Sequence, residues 1–236
     1  MVQGNIKAYW WPAKNFGDML SPIIIKHFTG KEITLAGRQE QGRLLAVGSI
    51  LHLIRDNDVV WGTGLNRRLM IALPSGVKFL AVRGPITRHY TRDRAPEIYG
   101  DPGILMPMIY NPKIEKKHKV GVMPHYVDKP FVKLKPGEIP IDVQQDWKKT
   151  IDQMLSCEKI IASSLHGIVC AEAYGIPAVW TRYSNKIRGK RIKYQDYFLG
   201  TGRGIQKYNA PIPPIQDLEK RQKILIDALQ NYYGKN

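Results

Sequence analysis

The residues Ser163-Ser164-Leu165-His166-Gly167 stand between the apolar run Lys159-Ile-Ile-Ala162 and a small-residue stretch that ends at Gly175. A polar turn that hands a strand to a helix leaves backbone N–H groups unpaired at the helix start. Those donors and the helix dipole both favour an anion. His166 lies in the same turn and brings a titratable imidazole beside it. The combination suits chemistry on a phosphorylated or carboxylated small molecule.

Other strand ends carry comparable groups. The first turn reads Trp10-Trp-Pro-Ala-Lys-Asn15-Phe-Gly17-Asp18. Asp18 either caps the helix that follows or faces the crevice at the carboxyl end of the strands, where it could accept a hydroxyl proton. Near a helix N-terminus its carboxylate should stay ionised, which suits a base. Arg83, between a strand and Gly84-Pro85, either forks onto a carboxylate or phosphate or makes a surface ion pair. His125 follows a later strand, and two strand-end histidines opening into one crevice suggest a shared task. Val47-Gly48-Ser49 and Trp61-Gly62-Thr63-Gly64 put glycine where backbone comes close to a ligand or a helix. Asp101, in Tyr99-Gly-Asp101-Pro, reads as a structural residue that closes the first half.

Several chemistries lack their motifs. There is no Gly-x-Gly-x-x-Gly fingerprint and no phosphate loop, no Gly-x-Ser-x-Gly elbow, and no His/Cys/carboxylate spacing for zinc. No metal and no nucleotide cofactor is therefore expected. With Cys157 and Cys170 as its only cysteines, the chain has no disulfide framework, which fits a reducing compartment. Met1-Val-Gln-Gly lacks the apolar core of a signal peptide, and no run reaches the ~18 apolar residues of a spanning helix. A cytoplasmic location is expected. The net charge of +16 suits nucleic acid, anionic substrates near a membrane surface, or nothing more than solubility. Its spread along the chain, with no basic tail, speaks against nucleic acid.

The elements that must position these groups alternate. Strands are expected near 6–9, 44–47, 59–61, 79–82, 98–99, 119–123, 139–143, 159–162 and 178–180. Helices are expected over 18–27, 85–90, 146–156, 165–174 and 217–232. The alternation gives an α/β fold. A Pro-rich, then charged, stretch from 107 to 118 reads as a linker between two Rossmann-like domains, residues 1–112 and 113–236. The segment 181–204, rich in Arg, Lys, Gly and Tyr, reads as a mobile substrate loop or as a plain exposed one.

Taken together, Asn15-Phe-Gly-Asp18, Trp61-Gly-Thr-Gly64, Ala81-Val-Arg83-Gly-Pro85, Tyr99-Gly-Asp101-Pro, Pro124-His-Tyr-Val-Asp128 and Ser163-Ser-Leu-His-Gly167 resemble the polysaccharide pyruvyltransferase family. The likeness is strongest to its exopolysaccharide ketal-pyruvyltransferase branch and runs in order to about Gly202-Arg203. It implies two domains facing a cleft in a compact arrangement like that of GT-B glycosyltransferases. It also implies phosphoenolpyruvate as donor, with no cofactor, and a sugar of a surface polysaccharide as acceptor, free or lipid-linked. Peripheral membrane contact would suit a lipid-linked acceptor, and no nucleic-acid partner is implied.

His166 is then the expected general acid, with Asp18 or neutral His125 as base. Asn15, Gly17, Gly62, Thr63, Gly64, Arg83, Ser163, Ser164, Leu165 and Gly167 are expected around the substrates, with the first domain on the acceptor side. Family members often carry Arg-Leu-His where this chain has Ser164-Leu165-His166, so Arg83, Lys193 or Arg203 must supply the missing cation. The competing reading is a nucleotide-sugar-dependent glycosyltransferase of the same architecture, in which Glu172 would clamp a ribose.

Overall fold

The computed structural model describes residues 4–68, 70, 72–189 and 191–234, so Met1 to Gln3 and Lys190 lie outside the described residues. The short apolar runs are stable only when covered on both faces, and they assemble into two parallel sheets. The first comprises β1 (Ile6–Ala8), β2 (Ile33–Leu35), β3 (Leu44–Leu45), β4 (Val59–Trp61) and β5 (Lys78–Ala81), in the order β2-β1-β3-β4-β5. The second comprises β6 (His118–Met123), β7 (Glu138–Pro140), β8 (Cys157–Ala162) and β9 (Ala178–Trp180), in the order β7-β6-β8-β9. All their pairings are parallel. The fold is thus α/β with two Rossmann-like halves, as the alternation and the resemblance anticipate.

Helices α1 (Phe16–Thr29), α2 (Pro85–Tyr90), α3 (Trp147–Leu155), α4 (Leu165–Ala173), α5 (Ile192–Gly200) and α6 (Leu218–Tyr233) cover the sheets. Local sequence sets their ends. Asp146 caps α3 by accepting from Lys148 N and Lys149 N at 2.9 and 3.1 Å, satisfying two donors that a helix start leaves open. Gly30, at φ 65°, ends α1 in the left-handed conformation that glycine takes without strain. Helix α4 has buried residues on all sides, including Ile168, Val169 and Cys170, so it serves as a core element between the halves. Helix α6 returns to the first sheet, where Trp61 Nε1 donates to Leu225 O at 2.8 Å and Gln230 Nε2 to Phe28 O at 3.0 Å.

The strand orders decide where a ligand can sit. In an open parallel sheet, a crevice forms at the carboxyl edge where the winding reverses. In the first sheet that reversal falls between β1 and β3, and in the second between β6 and β8. The loops leaving these four strands carry Asn15 to Asp18, Gly48 to Ile50, His125 to Val127 and Ser163 to His166. They meet across the gap between the halves.

Two expectations about elements need correction. The pair 98–99 forms only an isolated bridge from Tyr99 to Val82. Strand β2 is an edge strand of only three residues with half-exposed and exposed side chains, too short to stand out in the sequence. The segment 181–204 is no mobile loop through its second half, because 192–200 fold into α5. Tyr194 of α5 stacks on Trp180 with ring centroids 4.6 Å apart, and Tyr197 and Phe198 are buried. Its polar sequence hides these anchors because its charged residues Lys193 and Asp196 are themselves buried, Asp196 in an ion pair.

The chief pair is Asp196 with Arg83, both fully buried. Asp196 Oδ2 accepts from Arg83 Nε at 3.1 Å and from the Thr87 hydroxyl at 2.6 Å, while its Oδ1 accepts from Thr87 N at 2.9 Å. Arg83 spends its other nitrogens on Ser49 Oγ at 2.7 Å and Leu65 O at 2.6 Å. A Cβ at Gly84 would lie 1.9 Å from Asp196 O, and one at Gly200 2.2 Å from Arg83 O. Both glycines are needed for α5 to lie this close to the first half. Removing one partner of such a pair strands a buried charge, which costs about 3–5 kcal/mol. Arg83→Met should therefore lower unfolding stability by that amount in denaturant titration. A loss below about 1 kcal/mol would contradict a bolting role.

Candidate functional site

The facing crevices merge into a cleft of 520 Å³, within the range of small-molecule sites. The first half contributes Asn15 and Asp18 from the start of α1, and Gly48, Ser49 and Ile50 from the loop after β3. The second half contributes His125 and Tyr126 after β6, Ser164 to His166 at the start of α4, and Lys193 from α5. Ser164 caps α4 through its hydroxyl, which accepts from Gly167 N at 3.4 Å. Leu165 and His166, at the first two helical positions, have no carbonyl one turn back for their N–H groups.

His166 sits on that helix start with 8% of its surface exposed. Its buried Nε2 stands 3.4 Å from the buried Oδ2 of Asp101, and among the described residues neither atom has a hydrogen-bond partner. Asp101 is held in turn, since its Oδ1 accepts from Gly103 N at 2.9 Å. On another edge the ring passes Gly17, where a Cβ would come within 1.8 Å of His166 Nδ1. An imidazole of the second half is thus seated between a glycine and a carboxylate of the first. His166 lines the cleft, and with Nε2 turned to Asp101 its Nδ1 is the nitrogen left to a ligand. A His whose one nitrogen faces a buried carboxylate has its ring orientation fixed, as a proton-transfer group requires.

Three ionisable groups share this environment. Burial raises the pKa of Asp18, against the hydrogen bond from Asn15 Nδ2 at 2.7 Å and the pull of His166 and Lys193. The sequence expectation of a firmly ionised carboxylate therefore gives way to one with heightened proton affinity. Asp18 is also no cap, since α1 begins at Phe16 behind Asn15. His125 is pushed down to about 3, by burial first and then by Lys193 and His166. Its Nδ1 accepts from Val127 N at 3.4 Å, so the neutral ring carries its hydrogen on Nε2 and can donate it. Lys193 is lowered to about 8, mainly by burial and then by Arg83, with Asp18 and Asp128 opposing.

The structure gathers Asn15, Gly17, Asp18, His125, Ser164, Leu165, His166 and Lys193 at the cleft. It places the remaining expected residues elsewhere. Arg83 is spent on Asp196, and Gly64 is small because a Cβ there would lie 2.5 Å from that guanidinium. Gly62 makes room for Pro102, and the Thr63 hydroxyl bonds Gly48 O at 2.9 Å. Ser163 Oγ accepts from His125 N at 3.1 Å, and Gly167 lets α4 approach Met123 and Ala162. Arg203 is buried against Glu172, whose other oxygen accepts from the Tyr197 hydroxyl at 2.9 Å. That pairing takes Glu172 away from any ribose and Arg203 away from any donor. Of the three candidate cations only Lys193 reaches the cleft.

Sequence reading missed Arg38, His52, Asn66 and Arg188, which line the cleft from segments without periodicity or motif. It also assigned Asp101 a structural part only. The signal available was a strand-end carboxylate in a Gly-Asp-Pro turn, of the same kind that drew attention to Asp18. Among the described residues no group of three or more His, Cys, Asp or Glu side chains is arranged to hold a metal ion.

Comparison with known proteins bears on this cleft. Residues 39–185, more than half the chain, match a family model described as polysaccharide pyruvyl transferase. An uncharacterized protein of Acanthamoeba polyphaga mimivirus is 36% identical over 167 residues, which cover 64% of this chain and 57% of that protein. Succinoglycan biosynthesis protein ExoV of Rhizobium meliloti is 24% identical over 225 residues, 88% of this chain and 68% of ExoV. The chain thus spans between about half and two thirds of the length of these curated relatives.

Lys193 titrates where a pH series can read it. Its charge is present below about 8 and lost above, so anion binding should weaken as pH rises through that value. Sulfate keeps its charge over this range, and calorimetry should show its affinity falling by up to about tenfold per pH unit, the limit for one linked proton. Lys193→Arg should flatten the dependence. A pH-independent sulfate affinity in the unsubstituted protein would remove Lys193 from the anion site.

Proposed function

The chain belongs to the polysaccharide pyruvyl transferase family, and we propose that it moves the pyruvyl group of phosphoenolpyruvate onto a sugar of a surface polysaccharide. The product is a cyclic ketal bridging two sugar hydroxyls, and phosphate is released. The observation that carries the reading is the seat of His166, an oriented imidazole at a helix start inside a cleft that also holds Lys193 and Asp18. The donor is anionic at both its phosphate and its carboxylate. The N–H groups that open α4 and the Lys193 ammonium match one of these charges. Arg38 or Arg188, on the cleft wall, can meet the other.

The reaction then follows from where protons can go. His166 gives a proton to C3 of the enol, the methylene becomes a methyl group, and C2 becomes electrophilic. A sugar hydroxyl attacks C2 and passes its proton to Asp18, whose raised pKa suits it to that task. The C2–O bond to phosphate breaks, and the second hydroxyl closes the ring, its proton leaving with the phosphate. His125, neutral with its hydrogen on Nε2, serves as a hydrogen-bond donor to substrate oxygens rather than as the base. Asp101 keeps the His166 ring in register.

The test is phosphate release from phosphoenolpyruvate in the presence of candidate oligosaccharides, free and lipid-linked, with mass spectrometry of the glycan. The expected product carries one added pyruvyl unit per phosphate released. Because general acid catalysis contributes roughly 10²–10⁴-fold, His166→Ala should lower turnover by that range. The thermal stabilisation by phosphoenolpyruvate should persist in the variant. A variant with near-normal turnover would exclude His166 as the acid.

A further inference from the structure

Beside the cleft mouth the chain exposes a surface that the reaction does not use. The turn Tyr126–Phe131 leaves β6, and Tyr126, Phe131 and Leu134 keep 38, 40 and 43% of their surface in solvent. Trp11, 41% exposed, stands on the opposite wall, and both Trp11 and Tyr126 line the cleft. Lysines are interleaved with these apolar groups. Lys129 is paired with Asp142, but among the described residues no carboxylate is paired with Lys133, Lys135 or Lys186. Lys186 ties the patch to the cleft, since it lines the cleft and holds its ammonium 4.6 Å from the centre of the Phe131 ring.

Exposed aromatics among unpaired lysines are a poor match for water. They are a good match for the headgroup level of a bilayer, where ring bodies sit in the apolar boundary and ammonium groups reach lipid phosphates. Charge complementarity selects the occupant, because the patch is basic and the whole chain carries +16. Among the described residues no helix is long and apolar enough to cross a membrane; contact through a surface patch of this kind is superficial and reversible.

We propose that residues 126–135 together with Lys186 form a membrane-docking surface for anionic lipid, which turns the cleft mouth toward the bilayer. An acceptor carried on a lipid would then enter past Tyr126 and Trp11 without leaving the interface. The proposal goes beyond the reaction assigned to the cleft and does not rest on it.

Vesicle co-sedimentation tests it. The protein should bind vesicles of phosphatidylcholine mixed with phosphatidylglycerol, in a salt-sensitive way, and ignore vesicles of phosphatidylcholine alone. Each lysine at the surface accounts for about a fivefold change in partitioning, so Lys133→Glu with Lys135→Glu should weaken binding by at least about 25-fold. Phe131→Ser should weaken it at unchanged charge. The same charge reversal on α6, Lys220→Glu with Lys223→Glu, should weaken it far less. Phosphoenolpyruvate should stabilise all these variants equally, since none alters the cleft's anion-binding groups. No binding to the mixed vesicles, or equal loss in the two double variants, would overturn the proposal whatever the outcome for pyruvyl transfer.

Discussion

Two parallel sheets each reverse their winding once, and both reversals open on the same gap. A parallel sheet cannot fill that gap from within, because the loops on its two sides turn away to opposite faces. Here the loops after β1 and β3 confront those after β6 and β8. A site made this way depends on how firmly the halves are held at one separation. Arg83 with Asp196 supplies a buried ionic tie, and the close backbone approach at Gly84 and Gly200 makes the separation short. His166 against Asp101 and Gly17 is the second crossing point, and it is the one that faces the ligand space.

The same burial that joins the halves sets the electrostatics of the cleft. Desolvation is the leading cause of the shifts at Asp18, His125 and Lys193, raising the acid and lowering the two bases. Each group becomes easier to hold neutral, and each is within electrostatic reach of another in the set. An anion bound in this space would oppose the bias on Lys193, because an adjacent negative charge favours the charged ammonium. Strand ends and helices place Asp18, His125 and Lys193, and loops supply Arg38 and Arg188 at the edge of the cleft.

Much of this was legible in the sequence because strand-end chemistry is local. The helix that opens at Pro85 and the polar turn at 163–167 announce themselves by residue type and neighbours. The helix start at Leu165 and the cleft position of His166, His125 and Asp18 followed from reading where apolar runs stop. What could not be read was pairing at long range. Arg83 and Asp196 lie 113 residues apart, and nothing near either one signals the other. An arginine after a strand looks the same whether it awaits a phosphate or a buried aspartate. Glycine has the same ambiguity, since Gly62 and Gly64 clear space for Pro102 and Arg83 rather than for substrate. Helix α5 hid for a related reason, its polar face being satisfied inside the protein.

The step proposed for this cleft is proton delivery to a bound enol by an imidazole that a carboxylate from the other half keeps aligned. The most direct measurement is turnover with phosphoenolpyruvate and acceptor in deuterated water, reading the methyl group of the glycan product by NMR and comparing Asp101→Asn with the unsubstituted protein. Proton delivery from His166 predicts one deuteron in each ketal methyl group, a solvent isotope effect on the rate, and a slower but still isotope-sensitive reaction in the variant. A product methyl group without deuterium, or an Asp101→Asn protein as fast as the original, would contradict it.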